Sequence, residues 1–575
     1  MTEQDTRTDW QLDRAETMAR GGMVAAKTPL AAEAGVAMLR GGGNAVDAAV
    51  ATAFAAGVVE PWMNGLGGGG YLVAHLAERG ETVTVEYPMV APAGATAGMF
   101  RLSGKGVDSA LFGWPATVDN ANVVGHRAVA IPGTVAGLAL ALERFGTVSL
   151  ARAMESAIAH AEDGFPVTWH TTLTIARDLA NLRRFPATAA VYLDTAGNPP
   201  ASIEQTNLPR LRQPDLARTL RSIADEGPAA FYEGAFAAAA AEHLAAHGGV
   251  HTRADFATYA AEIGHPLSIP YRDAYVHTVG GGSGGTSLAQ TLRLIDGFDL
   301  AAHGHNSPET LHLIAQAFRV AFADRFAYLA DPDHIDVPLD RLLSVEYARD
   351  RAAGISAEPL SGPPSAGDRS RLGVTHQKPP SVPEYVRDGS TTHLGVIDAA
   401  GNAVSLTQTL LSGWGSRVVI PGTGVLLNNG MMWFDPEPGR PNSVAGGKRP
   451  LSNMAPALIT HDGRVVSIGA SGGRKIQNCN AQLVANLVDF AMGMQAAINA
   501  PRIDASIHAL AVSVRLPATT RERLAALGHR LSVRDERLFT GEFASPVGIL
   551  RDSDGTLHGG ADPFYFPATV IGLDR

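Results

Sequence analysis

The sequence predicts an α/β fold, in which helices and strands share one layered structure. Alanine-rich amphipathic runs over Ala235–Ala246 and Pro308–Leu329 are typical of helices. After residue 390 the pattern becomes strand-like, and Thr392–Asp398 and Ala403–Thr407 flank a glycine–asparagine turn, which predicts a β-hairpin. The 575 residues exceed the roughly 250–300 at which a single hydrophobic core stops growing. The chain therefore holds either several domains or one elaborate layered unit.

The opening third alternates helix signals with a strand signal. Thr28 and Pro29 predict the start of a first helix, and Asn44 predicts the cap of a second. A glycine cluster over residues 65–70 then leads into the strand-like residues 71–76. Helices and strands are therefore expected from the beginning of the chain.

Composition and charge disfavour several classes of function. A net charge of −10 and a pI near 6.0 argue against nucleic acid or an anionic membrane as partner. The sequence shows no apolar signal segment and no apolar run of membrane-spanning length, so we expect a cytoplasmic enzyme. The single cysteine, Cys479, excludes an intramolecular disulfide framework and is typical of a small buried hydrophobe. His303 and His305 lack a third ligand nearby, so neither a metal nor a cofactor is expected.

Glycine-rich motifs leave one alternative mechanism open. Gly65–Gly70 and Gly280–Gly285 fit the dinucleotide fingerprint, but the first precedes a strand and the second is saturated with glycine, which disfavours nucleotide binding. Ser283 and Ser471 lie in Gly-x-Ser-x-Gly sequences between a strand and a helix, as in the nucleophile elbow of α/β serine hydrolases. Glycine turns that let a helix pack closely on a strand explain these sequences equally well.

A proline-rich, polar segment over Ile355–Ser390 is predicted to be a mobile loop, and it meets a strand at Thr391. A threonine hydroxyl is unreactive without an adjacent base. Cleavage before Thr391 would free an α-amine with a pKa of about 7.7–8.0, so one residue would supply both nucleophile and base. An ordinary strand threonine explains the local sequence as well.

Short sequence blocks then occur in a characteristic order through most of the chain. They are Gly41–Ala49, Gly65–Gly69, Pro132–Gly137, Asp388–His393, Asp398–Val404, Leu426–Asn429, Lys448–Ser452, Ser471–Gly473 and Ala561–Pro563. This order resembles the gamma-glutamyltransferase family of N-terminal-nucleophile hydrolases. The resemblance implies a four-layer αββα sandwich and cleavage between Ser390 and Thr391. A large subunit (1–390, with 355–390 as its mobile end) and a small subunit (391–575) would intertwine in one unit, and two such pairs can form a dimer of heterodimers.

Residue roles follow from the same resemblance. Thr391 matches the catalytic nucleophile, and Thr409 matches the threonine whose hydroxyl supports it. Gly472 and Gly473 match the glycine pair whose backbone N–H groups form the oxyanion hole. Ser452 matches one of two serines that hold the carboxylate of a small-molecule substrate.

The sequence departs from the family where the glutamyl group is recognised. Pro88 stands in place of the arginine that clamps the α-carboxylate, Met432 and Trp433 in place of the acidic pair, and Asn453 in place of the second serine. Without these partners, the zwitterionic end of a γ-glutamyl group would be desolvated and unpaired, which costs several kcal/mol. We therefore predict that glutathione is not the substrate.

What replaces the glutamyl site is an apolar wall with cations beside it. The apolar wall consists of Leu411, Met431, Met432, Trp433 and Phe434. Together with the anchors Arg474, Lys475 and Ser452, it predicts an apolar or aromatic acyl or keto-acid substrate. The family also contains cephalosporin acylases, oxamate-type amidohydrolases and enzymes that cut a C–C bond to release an oxalyl group from pyrroline-type antibiotic precursors. C–C cleavage, true γ-glutamyl transfer and serine hydrolysis remain the alternatives.

Overall fold

The computed structural model describes residues 12–107, 112–201, 207–374, 389–538 and 541–574. Its strands are β1 Thr17–Ala19, β2 Gly22–Ala26, β3 Gly69–Leu76, β4 Glu81–Tyr87, β5 Leu102–Val107, β6 Pro115–Thr117, β7 Phe165–Pro166, β8 Arg210–Leu211, β9 Glu262–Gly264, β10 Leu267–Tyr271, β11 Ala274–Thr278, β12 Gly389–Asp398, β13 Ala403–Ser412, β14 Ala457–His461, β15 Arg464–Ser471, β16 Ile503–Asp504, β17 Leu510–Ser513, β18 Leu531–Arg534, β19 Ser545–Arg551, β20 Leu557–Ala561 and β21 Thr569–Leu573.

The α-helices are α1 Pro29–Arg40, α2 Ala45–Val59, α3 Thr134–Phe145, α4 Leu150–Asp163, α5 Trp169–Arg177, α6 Leu179–Leu182, α7 Pro186–Tyr192, α8 Pro214–Glu226, α9 Ala229–Tyr232, α10 Ala235–Ala246, α11 Arg253–Ala257, α12 Gly284–Ile295, α13 Leu300–His303, α14 Pro308–Tyr328, α15 Leu339–Leu342, α16 Val345–Ala352, α17 Arg369–Leu372, α18 Lys475–Val488, α19 Met494–Asn499 and α20 Ala518–Ala526. Short 3-10 turns cover Val118–Asn120, His126–Ala128 and Gly430–Trp433.

Two seven-stranded antiparallel sheets form the centre of the molecule. Sheet I has the order β1-β20-β19-β15-β14-β11-β10, and sheet II has the order β21-β2-β12-β13-β3-β4-β9. The sheets face each other, with β12 and β13 packed against β15 and β19. Helices α1, α2 and α3 cover the outer face of sheet II, and α12, α18 and α19 cover the outer face of sheet I. This stacking confirms the predicted four-layer αββα sandwich.

Local signals in the sequence produce the expected elements. Asn44 and Asp47 form a capping box at the start of α2: the Asn44 side chain accepts from the Asp47 N–H at 3.0 Å, and Asp47 accepts from the Asn44 N–H at 2.8 Å. The predicted hairpin is β12 and β13, in which Leu394 lies opposite Leu406. Both leucines point into the core between sheet II and the helices because alternate strand residues share one face.

The part of the chain that follows residue 390 is woven into the part that precedes it. In sheet II, β12 and β13 lie between β2 and β3. The subunit division at residue 390 stays a prediction, as does the mobility of the segment 355–390, of which residues 375–388 lie outside the described residues. The segment's beginning packs on the body: Ile355 and Leu372 are buried, and the Gly367 N–H donates to Asp324 Oδ1 at 2.7 Å.

The antiparallel pairing of the strands also shows whether the glycine-rich motifs can belong to a dinucleotide-binding unit. Gly280–Gly285 joins β11, which pairs antiparallel with β10 and β14, to α12, so it does not belong to a parallel βαβ unit. Cys479 is buried as predicted, and burial raises the pKa of its thiol to about 11. Across the described ranges, every helix is too short or too polar to cross a bilayer.

Candidate active site

Thr391 lies at an irregularity in the ladder between β12 and β13. The register shifts between Ser390 and Thr392, so Thr391 occupies a bulge, a feature that re-aims a side chain. Its Oγ1 is 2.7 Å from the carbonyl oxygen of Ser390 and 3.3 Å from Oγ1 of Thr409. The predicted nucleophile therefore lies beside the carbonyl group of the bond that is predicted to break.

Thr409 connects the nucleophile to its surroundings. Its hydroxyl also donates to the Ser390 carbonyl and accepts the Leu411 N–H at 2.7 Å. Leu411 has a φ of 95°, a strained value for a residue with a side chain. Two hydroxyls thus converge on one carbonyl oxygen, an arrangement that can polarise it for nucleophilic attack.

Gly472 and Gly473 occupy the turn between β15 and α18. Their φ values are 139° and 62°, and a Cβ on Gly472 would lie 2.8 Å from Cα of Ala544, so glycine is required there. Neither amide N–H donates to a described residue. The pair also stands at the N-terminus of a 14-residue helix, where backbone dipoles favour negative charge. These are the properties of an oxyanion hole.

A cavity of about 430 Å³ reaches Ser390 and Gly472. Its other lining residues are Trp62, Met63, His170, Thr174, Arg177, Asp178, Gly413, Trp414, Arg417, Ser471, Lys475, Arg502, Glu536, Gly541, Glu542, Phe543, Ala544, Ser545, Asp562, Phe564 and Tyr565. Of the residues predicted to bind substrate, Lys475 lines it, whereas Leu411, Met432, Trp433, Ser452, Asn453 and Arg474 do not and are all buried. The cavity thus reaches Ser390, at the bond that is predicted to break, whereas the apolar wall is packed in the protein interior.

The apolar wall continues into an aromatic cluster. The ring of Trp433 meets the ring of Phe112 edge-on at 6.5 Å, and the carbonyl oxygen of Trp433 accepts the Trp114 indole N–H at 3.1 Å. The indole N–H of Trp433 itself has no acceptor within the described part of the chain. Met432 and Leu411 are buried beside it in the same core.

Arg474 is a buried cation at the far side of Phe112. Its Nη1 donates to the Phe112 carbonyl at 3.1 Å, and its guanidinium lies 4.6 Å from the ring centre of Phe326. Burial lowers the pKa of this guanidinium to about 9, while Asp504 raises it, so Arg474 stays charged at neutral pH. Asp504 acts on it from beyond salt-bridge distance, and its Nε lacks an acceptor among the described residues.

Ser452 and Asn453 follow the wall in the chain. The Ser452 hydroxyl accepts the Met454 N–H at 3.2 Å, and its carbonyl accepts from Nη2 of Arg325 at 2.5 Å. The Asn453 side-chain oxygen accepts from Gln477 at 3.3 Å, whereas its NH₂ group has no acceptor among the residues that the structure covers. Asn453 thus offers a free donor, and Ser452 is tied to the backbone.

Two ionisable groups near the nucleophile were not anticipated. Glu60 accepts the Thr392 hydroxyl at 2.8 Å and the Tyr565 hydroxyl at 2.9 Å, and burial raises its pKa to about 7. The Lys27 amine donates to the Ser545 carbonyl at 2.9 Å, and burial lowers its pKa to about 8. The signal for Glu60 is one acid at the end of an otherwise apolar helix, immediately before a proline.

The serine-hydrolase alternative receives no support. The Ser283 hydroxyl donates to Val279 and accepts the Gly285 N–H at 3.1 Å, so it serves as the cap of α12. The Ser471 hydroxyl donates to the Ser545 carbonyl at 3.4 Å. Over the described ranges, neither serine bonds to a histidine that would act as its base.

Comparisons with known proteins agree with this geometry. Residues 31–565 match the family described as Gamma-glutamyltranspeptidase. The Acylase ACY 1 proenzyme of Pseudomonas sp. (strain V22) is 38% identical over 96% of this chain and 94% of its own length. The Glutathione hydrolase proenzyme of Escherichia coli (strain K12) is 33% identical over 95% of this chain and 90% of its own length.

Solved structures point the same way. The crystal structure of a cephalosporin acylase from Bacillus halodurans superposes with a TM-score of 0.84 at 27% identity and covers 100% of both chains. A gamma-glutamyltranspeptidase from Helicobacter pylori superposes with a TM-score of 0.53 at 30% identity, over 64% of this chain and 95% of its own. The sandwich of two antiparallel sheets, the family match and these likenesses have one explanation: the chain belongs to the gamma-glutamyltranspeptidase family and is an N-terminal-nucleophile hydrolase or acyltransferase.

Proposed function

We propose that the chain is a precursor that cleaves itself between Ser390 and Thr391. Oγ1 of Thr391 attacks the Ser390 carbonyl carbon, and the peptide bond is exchanged for an ester with a proton moving to the Thr391 nitrogen. Water then hydrolyses the ester and leaves a free α-amine on Thr391. The 2.7 Å approach of this hydroxyl to the Ser390 carbonyl oxygen supports the first step, and the two similar proenzymes support the outcome.

The new α-amine acts as base in turnover. It takes the Oγ1 proton as the oxygen attacks the substrate's acyl carbon, and the N–H groups of Gly472 and Gly473 hold the resulting oxyanion. The amine then returns the proton to the leaving group, and water releases the acyl group from Thr391. Removing one oxyanion donor costs on the order of 10²–10³ in rate in enzymes of this kind.

We further propose an acyl group that is apolar or aromatic and ends in a carboxylate. The observation that supports this most strongly is Arg474, a buried cation that follows Gly473 in the chain and has no carboxylate of a described residue within salt-bridge distance. Among the described residues, the Trp433 indole N–H and the Arg474 Nε, whose side chains both contact Phe112, lack acceptors, and so does the Asn453 amide. An anionic acceptor would complement the two donors beside Phe112.

A γ-glutamyl substrate fits less well. Its ammonium needs an anion, and the two positions where the family carries acids are the apolar Met432 and Trp433. Pro88 lines a second cavity of about 320 Å³ with Arg449, but Arg449 already binds Asp331 at 2.9 Å. This arginine therefore does not replace the missing carboxylate clamp.

A keto acid satisfies the same donors, so hydrolysis of a C–C bond with release of an oxalyl group is the second candidate. Its keto oxygen would enter the oxyanion hole and its carboxylate would face Arg474. The unpaired donors fit C–C hydrolysis and amide hydrolysis equally well. Only an assay of which bond is cut distinguishes the two reactions.

Three chromogenic anilides test the substrate class directly. Glutaryl-p-nitroanilide differs from γ-glutamyl-p-nitroanilide only by the missing ammonium group. Burial of an unpaired polar group costs about 1–3 kcal/mol, so we expect kcat/KM to be about 10–100-fold higher for the glutaryl compound. Phenylacetyl-p-nitroanilide, which has no carboxylate, should also react more slowly than the glutaryl compound.

Preparations of the Thr391→Ala variant supply the background rate for each anilide. Equal or faster release from the γ-glutamyl compound would overturn the proposed substrate class and leave the nucleophile untouched. An aryl keto acid that releases oxalate serves as the C–C substrate. If it alone reacted and all three anilides were inert, C–C hydrolysis would be selected.

A further inference from the structure

Three histidines from two distant segments meet on the surface of the large N-terminal part. His126 lies in the 3-10 turn His126–Ala128, while His243 and His247 occupy the last turn and the C-cap of α10. The potential ligand atoms of the three side chains all lie within 4.8 Å of one another. His243 and His247 are four residues apart on a helix, a spacing that places two side chains on one face.

The distances suit a single metal ion. Nε2 of His126 is 3.2 Å from Nε2 of His243. Two imidazole ligands on a tetrahedral Zn²⁺, each about 2.0–2.1 Å from the metal, are about 3.3 Å apart. The His247 ring stacks on His126 with its centre 4.2 Å away, and His247 is exposed, so its ring has room to turn toward the same point.

Hydrogen bonds prepare these rings for coordination. Nδ1 of His247 lies 2.8 Å from the His243 carbonyl oxygen, and because a carbonyl only accepts, this nitrogen carries the proton. Nε2 of His247 is then the nitrogen with the free lone pair, as in metal-bound histidines whose other nitrogen donates to a backbone carbonyl. The His126 ring is held edge-on against Phe185 at 5.8 Å, which limits its rotation.

The set of donors selects the kind of metal. Three imidazole nitrogens without a carboxylate favour Zn²⁺, Cu²⁺ or Ni²⁺ over Mg²⁺ or Ca²⁺. Metal ions bind the neutral form of imidazole. The adjacent Arg127 turns away and donates to the Met99 carbonyl.

We propose that His126, His243 and His247 form a transition-metal site, best suited to Zn²⁺ with a water molecule as fourth ligand. The site is separate from Thr391 and has a structural role. It fastens the loop 118–131 to α10, and that loop supports the region before the apolar wall: Val123 accepts from the Asn429 side chain at 2.8 Å, and the Ala130 N–H donates to Asn428 at 2.9 Å.

Metal titration of the full-length, untagged protein tests this proposal. After treatment with a chelator, we expect calorimetry to show one Zn²⁺ bound per chain, and saturating Zn²⁺ to raise the thermal midpoint by roughly 1–3 °C. Co²⁺ at the same stoichiometry should give the visible absorption of a tetrahedral ion. The His247→Gln variant changes an exposed residue and should fold normally, yet it should bind Zn²⁺ at least about tenfold more weakly.

The double variant His303→Gln/His305→Gln provides the matched control. It removes two exposed histidines that do not belong to the proposed metal site. This variant should bind Zn²⁺ like the wild type. Zn²⁺ affinity that is equal in wild type and His247→Gln, or the absence of stoichiometric binding to the wild type, would overturn the proposal. Loss of binding in the control alone would place the metal at the other pair and overturn it as well.

Discussion

The hydroxyls of Thr391 and Thr409 and three donors around the apolar wall differ in whether they have hydrogen-bond partners. At the nucleophile, the hydroxyls of Thr391 and Thr409 and the N–H of Leu411 bond to one another or to the Ser390 carbonyl. Around the wall, donors of Trp433, Asn453 and Arg474 have no acceptor among the described residues. Each buried unpaired donor costs about 1–3 kcal/mol, so the second arrangement lowers stability.

This difference distinguishes the groups proposed for catalysis from the groups proposed for substrate binding. The paired hydroxyls build a preorganised centre that the fold completes by itself, with strand register alone bringing β12 and β13 together. Under the proposed function, the unpaired donors are where a substrate would bind.

Replacing the nucleophile should have the largest effect. We expect Thr391→Ala to block cleavage and to lower turnover of glutaryl-p-nitroanilide by about 10⁴-fold or more, because both steps need the same oxygen. Denaturing gels should show one chain of 60.0 kDa instead of two fragments. Thr391→Ser retains a hydroxyl and should still mature, and N-terminal sequencing should find its second start at position 391.

Removing the supporting hydroxyl should have the next largest effect. Thr409→Val keeps the shape of the side chain but leaves the Leu411 N–H without its partner and the Ser390 carbonyl with the Thr391 hydroxyl alone. A loss of about 1–3 kcal/mol in the cleavage transition state predicts precursor conversion that is about 10–100-fold slower. A time course on gels measures this rate, and Thr409→Ser should restore most of it. Maturation of Thr409→Val at the wild-type rate would show that Thr409 is an ordinary core residue.

The sequence predicts more of the structure in one of these regions than in the other. The hairpin of β12 and β13 and the capping box at Asn44 follow from local rules: alternating apolar residues, a turn at Gly401, and an acid three residues after a cap. The order of family motifs predicts the sandwich and the catalytic residues. These features depend on neighbours in the chain or on a shared pattern.

Other features depend on packing between distant segments, which sequence patterns do not encode. Glu60 meets Thr392 across 332 residues, and the bulge at Thr391 is visible only once the strands are paired. The sequence predicts an apolar wall but not that its residues are buried behind an aromatic cluster instead of lining the 430 Å³ cavity. The unpaired donors likewise become evident only when every potential acceptor has been located in space.

Arg474 gives the sharpest test of the recognition region. Arg474→Met removes a desolvated charge together with one hydrogen bond to the Phe112 carbonyl. Because burying the charge costs more than this single bond returns, we expect unchanged or slightly raised thermal stability. In the same variant, kcat/KM for glutaryl-p-nitroanilide should fall about 10–100-fold, whereas the rate with phenylacetyl-p-nitroanilide should change little. Opposite signs for stability and activity are the signature of a residue kept for binding.

Arg325→Met is the matched control for that experiment. Arg325 is another buried arginine, but its guanidinium donates to the Ser283 and Ser452 carbonyls at 2.8 and 2.5 Å. Its loss leaves both carbonyls unpaired and should lower stability by about 1–3 kcal/mol. If Arg474→Met lost stability as Arg325→Met does, Arg474 would be structural and the proposed carboxylate site would be wrong.

The smallest effect concerns Glu60, whose two bonds place it with the paired groups of the nucleophile region. Burial raises its pKa from about 4.5 to about 7, so between these pH values the folded protein holds a proton that the unfolded chain has released. The free energy of unfolding should therefore fall as pH rises through this window, and Glu60→Gln should flatten the decline by about 1–2 kcal/mol. Lys27 has the opposite effect at higher pH: burial lowers its pKa to about 8, so stability should rise again from about pH 8 to 10.5 in both proteins.

Denaturant unfolding at a series of pH values measures both the fall and the rise in stability, and the variant Glu78→Gln, which changes an exposed residue, is the control. A wild-type profile that is level from pH 4.5 to 7 would show that the hydrogen bonds from Thr392 and Tyr565, which favour the charged carboxylate, outweigh its burial.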